Sequence, residues 1–87
     1  MEVFYSPQFV REYRQLPTEV KEKAKKKEKI FRRNPFDERL KTHKLKGKLD
    51  DFWSFSIDFR YRIIFKFQNN NTVRFYVIGD HSLYNKL

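Results

Sequence analysis

Two different periods run along this chain. Between Phe9 and Phe31 apolar residues recur three and four positions apart; between Trp53 and Val77 they recur every second position. Phe9, Tyr13 and Leu16 fall at i, i+4 and i+7, which is one face of a helix. Ser6-Pro7 just before them supplies an N-cap followed by proline at the first helical position, where its missing N–H costs nothing. Pro17-Thr18 restarts the chain, and Val20, Ala24, Lys27 and Ile30/Phe31 continue at helical spacing until Asn34-Pro35 stops it. The pattern predicts a helical hairpin with a tight joint, preceded by a short β-prone run at Val3 to Tyr5.

From Pro35 to Asp51 the chain is basic and poor in period, and it reads as a connector. Strand alternation then begins. In "FWSFSIDF" Trp53, Phe55, Ile57 and Phe59 share one face, while Ser54, Ser56 and Asp58 share the other. In "RYRIIFKFQ" the apolar face is Tyr61, Ile63, Phe65 and Phe67, opposite Arg60, Arg62, Ile64, Lys66 and Gln68. Asn69-Asn70-Asn71 has turn chemistry, and in "TVRFYVIG" Val73, Phe75 and Val77 alternate with Arg74 and Tyr76. Three antiparallel strands with one apolar face need a cover, and the two helices provide it. The expected fold is an α+β domain ordered β-α-α-β-β-β, helices on one face of an antiparallel sheet. The other, polar face is expected to stay open and to carry the function.

Size and charge narrow the picture. Eighty-seven residues make one domain, 1–87, and ten Phe, five Tyr and one Trp supply most of its core. Twenty Lys and Arg against eleven Asp and Glu leave a net charge of +9, a field that attracts polyanions, nucleic acid first. The absence of cysteine removes disulfides, thiolate zinc sites and thiol nucleophiles, and fits an intracellular protein. No apolar run approaches the ~18 residues of a membrane span, and "MEVFYSPQF" lacks a signal-peptide layout. A cytoplasmic domain with no membrane partner is expected.

The positive charge is concentrated in two places. "KEKAKKKEKIFRR", residues 21–33, holds eight basic and two acidic residues and reads mainly as a solvated helix face, with i,i+4 pairing such as Glu22 to Lys26. The second cluster, Arg39, Lys41, His43, Lys44, Lys46 and Lys48, has no helical spacing and straddles Gly47. Beside a strand face bearing Arg60, Arg62 and Lys66 it makes a cationic cleft suited to phosphodiester backbones.

Several chemistries lack their residues. The two histidines, His43 and His81, stand in no metal-ligand spacing, so no metal site or cofactor is expected. Ser54, Ser56 and Ser82 lack a nucleophile elbow, and two glycines, Gly47 and Gly79, cannot build a phosphate loop. Metal-free cleavage of RNA is within reach, because RNA carries its own nucleophile in the 2′-OH. That reaction needs a base for the 2′ proton, a cation for the charged phosphorane and an acid for the 5′-oxygen. Imidazole suits either proton role at cellular pH, and guanidinium suits the charge.

"THKLKGKLDDFWSFSIDFRYRIIFKF" followed by "VRFYVIGDHSLY" resembles the RelE/ParE superfamily of bacterial toxins, most closely the RelE/YoeB/YafQ-like mRNA interferases. The resemblance runs from "FYSPQFVREYRQLP" almost to the C-terminus, and its specific part is the pattern H-x-L-x-G, W-S-F, Y-R-I-I-F, G-D-H-x-x-Y. It implies a microbial RNase-like fold and a toxin that cleaves mRNA endonucleolytically in the ribosomal A site, without metal. It implies His43 as base, as in the YafQ-like branch, with Lys44 and Lys46 as backbone-binding cations, which Lys48, Arg60 and Lys66 of the cationic cleft are expected to join in holding RNA. Arg62 matches the transition-state arginine, His81 the C-terminal general acid, and Tyr84 the terminal aromatic that orients or stacks the substrate. Asp58 is expected from the resemblance to orient a histidine or hold substrate. The implied partners are a cognate antitoxin, in a toxin–antitoxin hetero-oligomer, and mRNA on the ribosome with its rRNA. The same fold also permits a ParE-like inhibitor of DNA gyrase without nuclease activity, or a catalytically degenerate relative that persists bound to its antitoxin.

Overall fold

The computed structural model describes residues 1–86, with side chains as far as Tyr84. The elements are β1 (Glu2–Tyr5), α1 (Pro7–Arg14), α2 (Thr18–Arg33), β2 (His43–Lys44), β3 (Trp53–Ser56), β4 (Arg62–Asn69) and β5 (Thr72–Gly79). One-turn 3-10 helices at Glu38–Leu40 and Gly47–Leu49 flank β2, and a 3-10 segment, His81–Lys86, follows β5. The helical hairpin lies where the apolar spacing puts it. Ser6 caps α1, its Oγ accepting from the Phe9 N–H at 2.9 Å, and Pro7 opens the helix.

The five strands form one sheet in the order β1-β5-β4-β3-β2. β3, β4 and β5 are antiparallel as the alternation implies, whereas β1 runs parallel to β5, so the sheet is mixed. The parallel edge follows from connectivity: α1 and α2 carry the chain back over one face before the hairpins begin. On that face Phe31 is fully buried, stacked on Phe55 at 4.7 Å and edge-on to Phe65 at 4.9 Å and Phe75 at 5.4 Å. Offset and edge-to-face rings add about 0.5–1.5 kcal/mol per pair beyond the area they bury, so α2 is fixed to the sheet at this point.

Three expectations are corrected. The connector is not wholly irregular, since His43–Lys44 adds a short antiparallel edge strand, with His43 opposite Ser54 and Lys44 opposite Trp53. Phe59 does not continue the apolar face of β3. The strand ends at Ser56, the Ile57 N–H donates to the Tyr61 carbonyl at 2.9 Å, and Asp58 Oδ1 accepts from the N–H groups of Arg60 and Tyr61 at 2.9 and 2.7 Å. Phe59 is the apex of that turn and is fully exposed.

The third correction concerns the polar face, which is not open throughout. A bulge in β5 sets Phe75 opposite Phe65 and Val77 opposite Ile64, so Tyr76 is the extra residue. Alternation breaks there: Phe75 and Ile78 join the helix-side core, while Val77 turns to the other face beside Ile64. Leu83 from the C-terminal segment is fully buried over that pair, with Leu45, Phe52, Tyr76 and Tyr84 packed around it. The backbone groups displaced by the bulge are satisfied from α1 and its cap. Ser6 Oγ donates to the Tyr76 carbonyl at 2.7 Å, and Glu12 Oε1 accepts from the Ile78 N–H at 3.0 Å.

Candidate active site at one end of the sheet

β4 begins with Arg62, whose cross-strand neighbours are Ser56 on β3 and Gly79 on β5. Its guanidinium leans back across β3, Nη1 donating to Ser54 Oγ at 3.3 Å. Ser54 is fully buried and is the residue opposite His43. One side chain therefore ties the Arg62 strand to the position of the first histidine, two strands and about 10 Å away. A guanidinium has five N–H donors, and among the described residues Ser54 is the one hydrogen-bond partner of Arg62, which leaves most of the fork for an anionic ligand.

His43 is exposed, and its Nδ1 lies 3.1 Å from the carbonyl oxygen of Lys41. A carbonyl only accepts, so Nδ1 carries a proton in this contact, and in the neutral ring the lone pair is then on Nε2. Lys41 makes this possible through a left-handed backbone, φ 52°, at the end of the first 3-10 helix. The carbonyl contact thus selects the tautomer a general base requires.

His81 follows Gly79-Asp80 directly, so it starts where β5 meets Arg62, and it is exposed. Asp80 closes the turn after it. Asp80 Oδ1 accepts from Ser82 Oγ at 2.7 Å and from the Ser82 N–H at 3.0 Å, and the Leu83 N–H donates to the Asp80 carbonyl. Those two Ser82 donors, helped by the nearby charges of His81 and Arg60, hold the Asp80 carboxyl below its ordinary range. Leu83 and Tyr84 then anchor the segment on Ile64 and Val77. Burial of Leu83 is what fixes the segment that carries His81.

The remaining candidates divide. Lys44, Lys46 and Lys48 are exposed around Gly47, whose φ of 70° is the left-handed turn that glycine accommodates, and they extend the cationic rim from His43. Arg60 is exposed near Asp80 with its guanidinium 5.6 Å from the Tyr61 ring. Lys66 lies on the same face but four residues along β4, about 13 Å from Arg62. Its ammonium is held 4.4 Å from the Phe52 ring and 5.7 Å from the Tyr76 ring, a pairing that sequence spacing did not reveal.

Asp58 stands apart. Its carboxylate closes the β3–β4 turn and meets Lys23 of α2 at 3.4 Å, and neither histidine is among its hydrogen-bond partners. Partial desolvation pushes its pKa up, but the Tyr61 and Arg60 N–H groups and the Lys23 ammonium outweigh that and hold it below the ordinary carboxylate range. Arg39, grouped with the cationic loop by sequence, is taken by Asp37 in a two-pronged pair, with Nη2 to Oδ2 and Nε to Oδ1 both at 2.9 Å. On α2 the i,i+4 pair that forms is Glu28 with Arg32. Among the described residues no three His, Asp or Glu side chains cluster so as to hold a metal ion, and no helix is long and apolar enough to cross a membrane.

Two helices packed on a five-strand mixed sheet make the fold of the RelE/YoeB/YafQ toxins. The structure of the YoeB/ParE toxin from Agrobacterium tumefaciens superposes with a TM-score of 0.79 at 19% identity, covering 93% of this chain and 99% of that one. YafQ from Escherichia coli superposes with a TM-score of 0.78 at 20% identity, covering 95% and 96%. The YoeB–YefM complex from Staphylococcus aureus gives 0.75 at 22% identity, covering 93% and 97%. No curated protein matches the sequence significantly. The sequence profile described as the RelE-like toxin of the type II toxin–antitoxin system HigB matches residues 4–81. The chain belongs to this family of RelE-like, HigB-type toxins of type II toxin–antitoxin systems.

Proposed function

We propose that this toxin is an endoribonuclease that cleaves mRNA in the A site of the ribosome by internal attack of the 2′-OH. In this reading His43 Nε2 removes the 2′ proton as the oxygen attacks phosphorus. Arg62 pairs with the non-bridging oxygens of the phosphorane as charge builds. The P–O5′ bond breaks, and His81 gives its proton to the departing 5′-oxygen. The products are a 2′,3′-cyclic phosphate and a 5′-hydroxyl, and every proton is accounted for by a side chain. Tyr84, held on the second apolar cluster, stacks or orients the substrate, while Lys44, Lys46, Lys48, Arg60 and Lys66 hold the backbone without reading sequence.

The single observation that carries this reading is the tie between Arg62 and Ser54, which supports it because the guanidinium begins a strand paired with Gly79 before His81 and reaches the residue opposite His43. The protein acts in the cytoplasm, where ribosomes are. Its partner is a cognate antitoxin in a hetero-oligomer, as in the complexes of YoeB with YefM and of YafQ with DinJ. An acidic, amphipathic antitoxin segment complements the +9 charge.

Induced expression followed by primer extension on a reporter mRNA tests the proposal. Growth arrest with new cuts inside translated codons, bearing cyclic phosphate ends, is expected. Intact mRNA together with inhibition of gyrase supercoiling by the purified protein would overturn it in favour of a ParE-like toxin.

A further inference from the structure

The most exposed large apolar side chain described is Phe59, with a relative exposure of 102%. The next two, Phe36 at 56% and Phe4 at 50%, are partly sheltered, and Phe36 stacks on Phe67. Among the described residues no other ring touches Phe59. Its turn is nonetheless tightly held: Asp58 accepts from the N–H groups of Arg60 and Tyr61, Ile57 and Tyr61 close the hairpin, and Lys23 braces Asp58 from α2. A phenyl ring presented to water on a braced turn buries nothing and so contributes nothing to the core.

The position of the turn gives the ring a use. It joins β3 to β4 at the end where Arg62 begins and where Gly79 leads into His81. Arg60, the next residue, is near enough to Asp80 to help lower its carboxyl pKa. Phe59 therefore stands at the border of the candidate active site with cations beside it, not inside an apolar groove. A protein contact of this size normally has an apolar surround that excludes water. A nucleobase needs only a ring face to stack on and a nearby cation for its phosphate.

We infer that Phe59 is a stacking platform for one unpaired base of single-stranded RNA next to the scissile phosphate, with Arg60 pairing the phosphate of the stacked nucleotide. The assignment rests on the endoribonuclease reading for its substrate. It differs from that reading in concerning binding and position, not proton transfer.

The test uses a short 2′-O-methyl RNA oligonucleotide, which offers no nucleophile, and an abasic oligonucleotide with the same number of phosphates. Phe59→Ala and Phe59→Leu should each bind the base-bearing probe about tenfold more weakly than the unaltered chain, and Phe59→Trp should bind it normally. Emission from the new tryptophan, above that of Trp53, should be quenched by the base-bearing probe and not by the abasic one. On ribosome-bound mRNA, Phe59→Ala should raise KM with kcat little changed. Equal affinity of Phe59→Ala and the unaltered chain would overturn the assignment, as would equal quenching by the abasic probe. Full affinity in Phe59→Leu would also overturn it, because apolar area alone would then suffice and a protein contact would be the better account. The oligonucleotide arms need no cleavage, so failure of the nuclease reading and failure of the stacking site give different results.

Discussion

Arg62 and His43 are each set by one local contact, and His81 by the turn that Asp80 closes and Leu83 anchors. Arg62 is aligned by Ser54, and the charge it offers a phosphorane is worth most in a bidentate pair. Arg62→Ala should lower cleavage by about 10²–10³-fold, with Arg62→Lys recovering only part of it. His81→Ala should lower it by about 10²–10⁴-fold, and circular dichroism and melting temperature should be unchanged for this exposed-site variant. Arg62→Ala, which takes the partner from buried Ser54, should instead keep its circular dichroism and melt slightly earlier. Asp58→Ala should behave differently. It removes the acceptor for two turn N–H groups, so it should destabilise the fold by about 1–2 kcal/mol in denaturant titration. Its effect on cleavage should not exceed that of Phe59→Ala, since the histidines are untouched.

The bulge in β5 is the element that shapes the site. By turning Val77 toward Ile64 it creates the patch that Leu83 covers, and Leu83 fixes the segment bearing His81 and Tyr84. Leu83→Ala should cost about 2–5 kcal/mol and depress activity as well, read by thermal melting and by cleavage of the same preparation. Glu12→Leu, which orphans the Ile78 N–H, should cost about 1–3 kcal/mol, with Glu12→Gln much milder.

Acid sensitivity belongs to the turns. Asp37 is pulled down to about 2 by the Arg39 side chain and N–H, and Asp58 and Asp80 are lowered too. A carboxyl whose folded pKa is depressed favours the folded state above its unfolded value and loses that contribution as pH falls through the folded one. Stability should therefore be flat above about pH 5 and decline from about pH 4 toward 2 in melts at constant ionic strength.

The helices, the three long strands and their faces were legible because each has a clean period and ordinary caps. His43, Arg62, His81 and Tyr84 were singled out as candidates through the motif they share. What periodicity missed came from breaks in it. Ile64 among polar positions and the adjacent Val77-Ile78 both signalled a second apolar cluster, but a bulge is invisible to a strict two-residue count. Phe59 looked like core because alternation cannot know that the Asp58 carboxylate will end the strand. The edge strand at His43–Lys44 is too short to show any period.

At the scale of the whole molecule, the charge of +9 should make salt the main control on the proposed affinity for RNA. The logarithm of the binding constant should fall linearly with that of salt, with a slope of about −0.7 for each phosphate neutralised on a single strand. Removing Lys44 and Lys46 together should shallow the slope without changing which sites are cut, since in the proposed reading these cations touch backbone and not base edges. The central claim is that the substrate's own 2′-oxygen is the nucleophile. The most direct measurement is cleavage on programmed ribosomes of an mRNA carrying a single 2′-deoxy nucleotide immediately 5′ to the scissile phosphate. Loss of cutting at that position alone, with neighbouring susceptible codons still cut to cyclic phosphates, is the expected result. Undiminished cutting at the deoxy position would contradict the account.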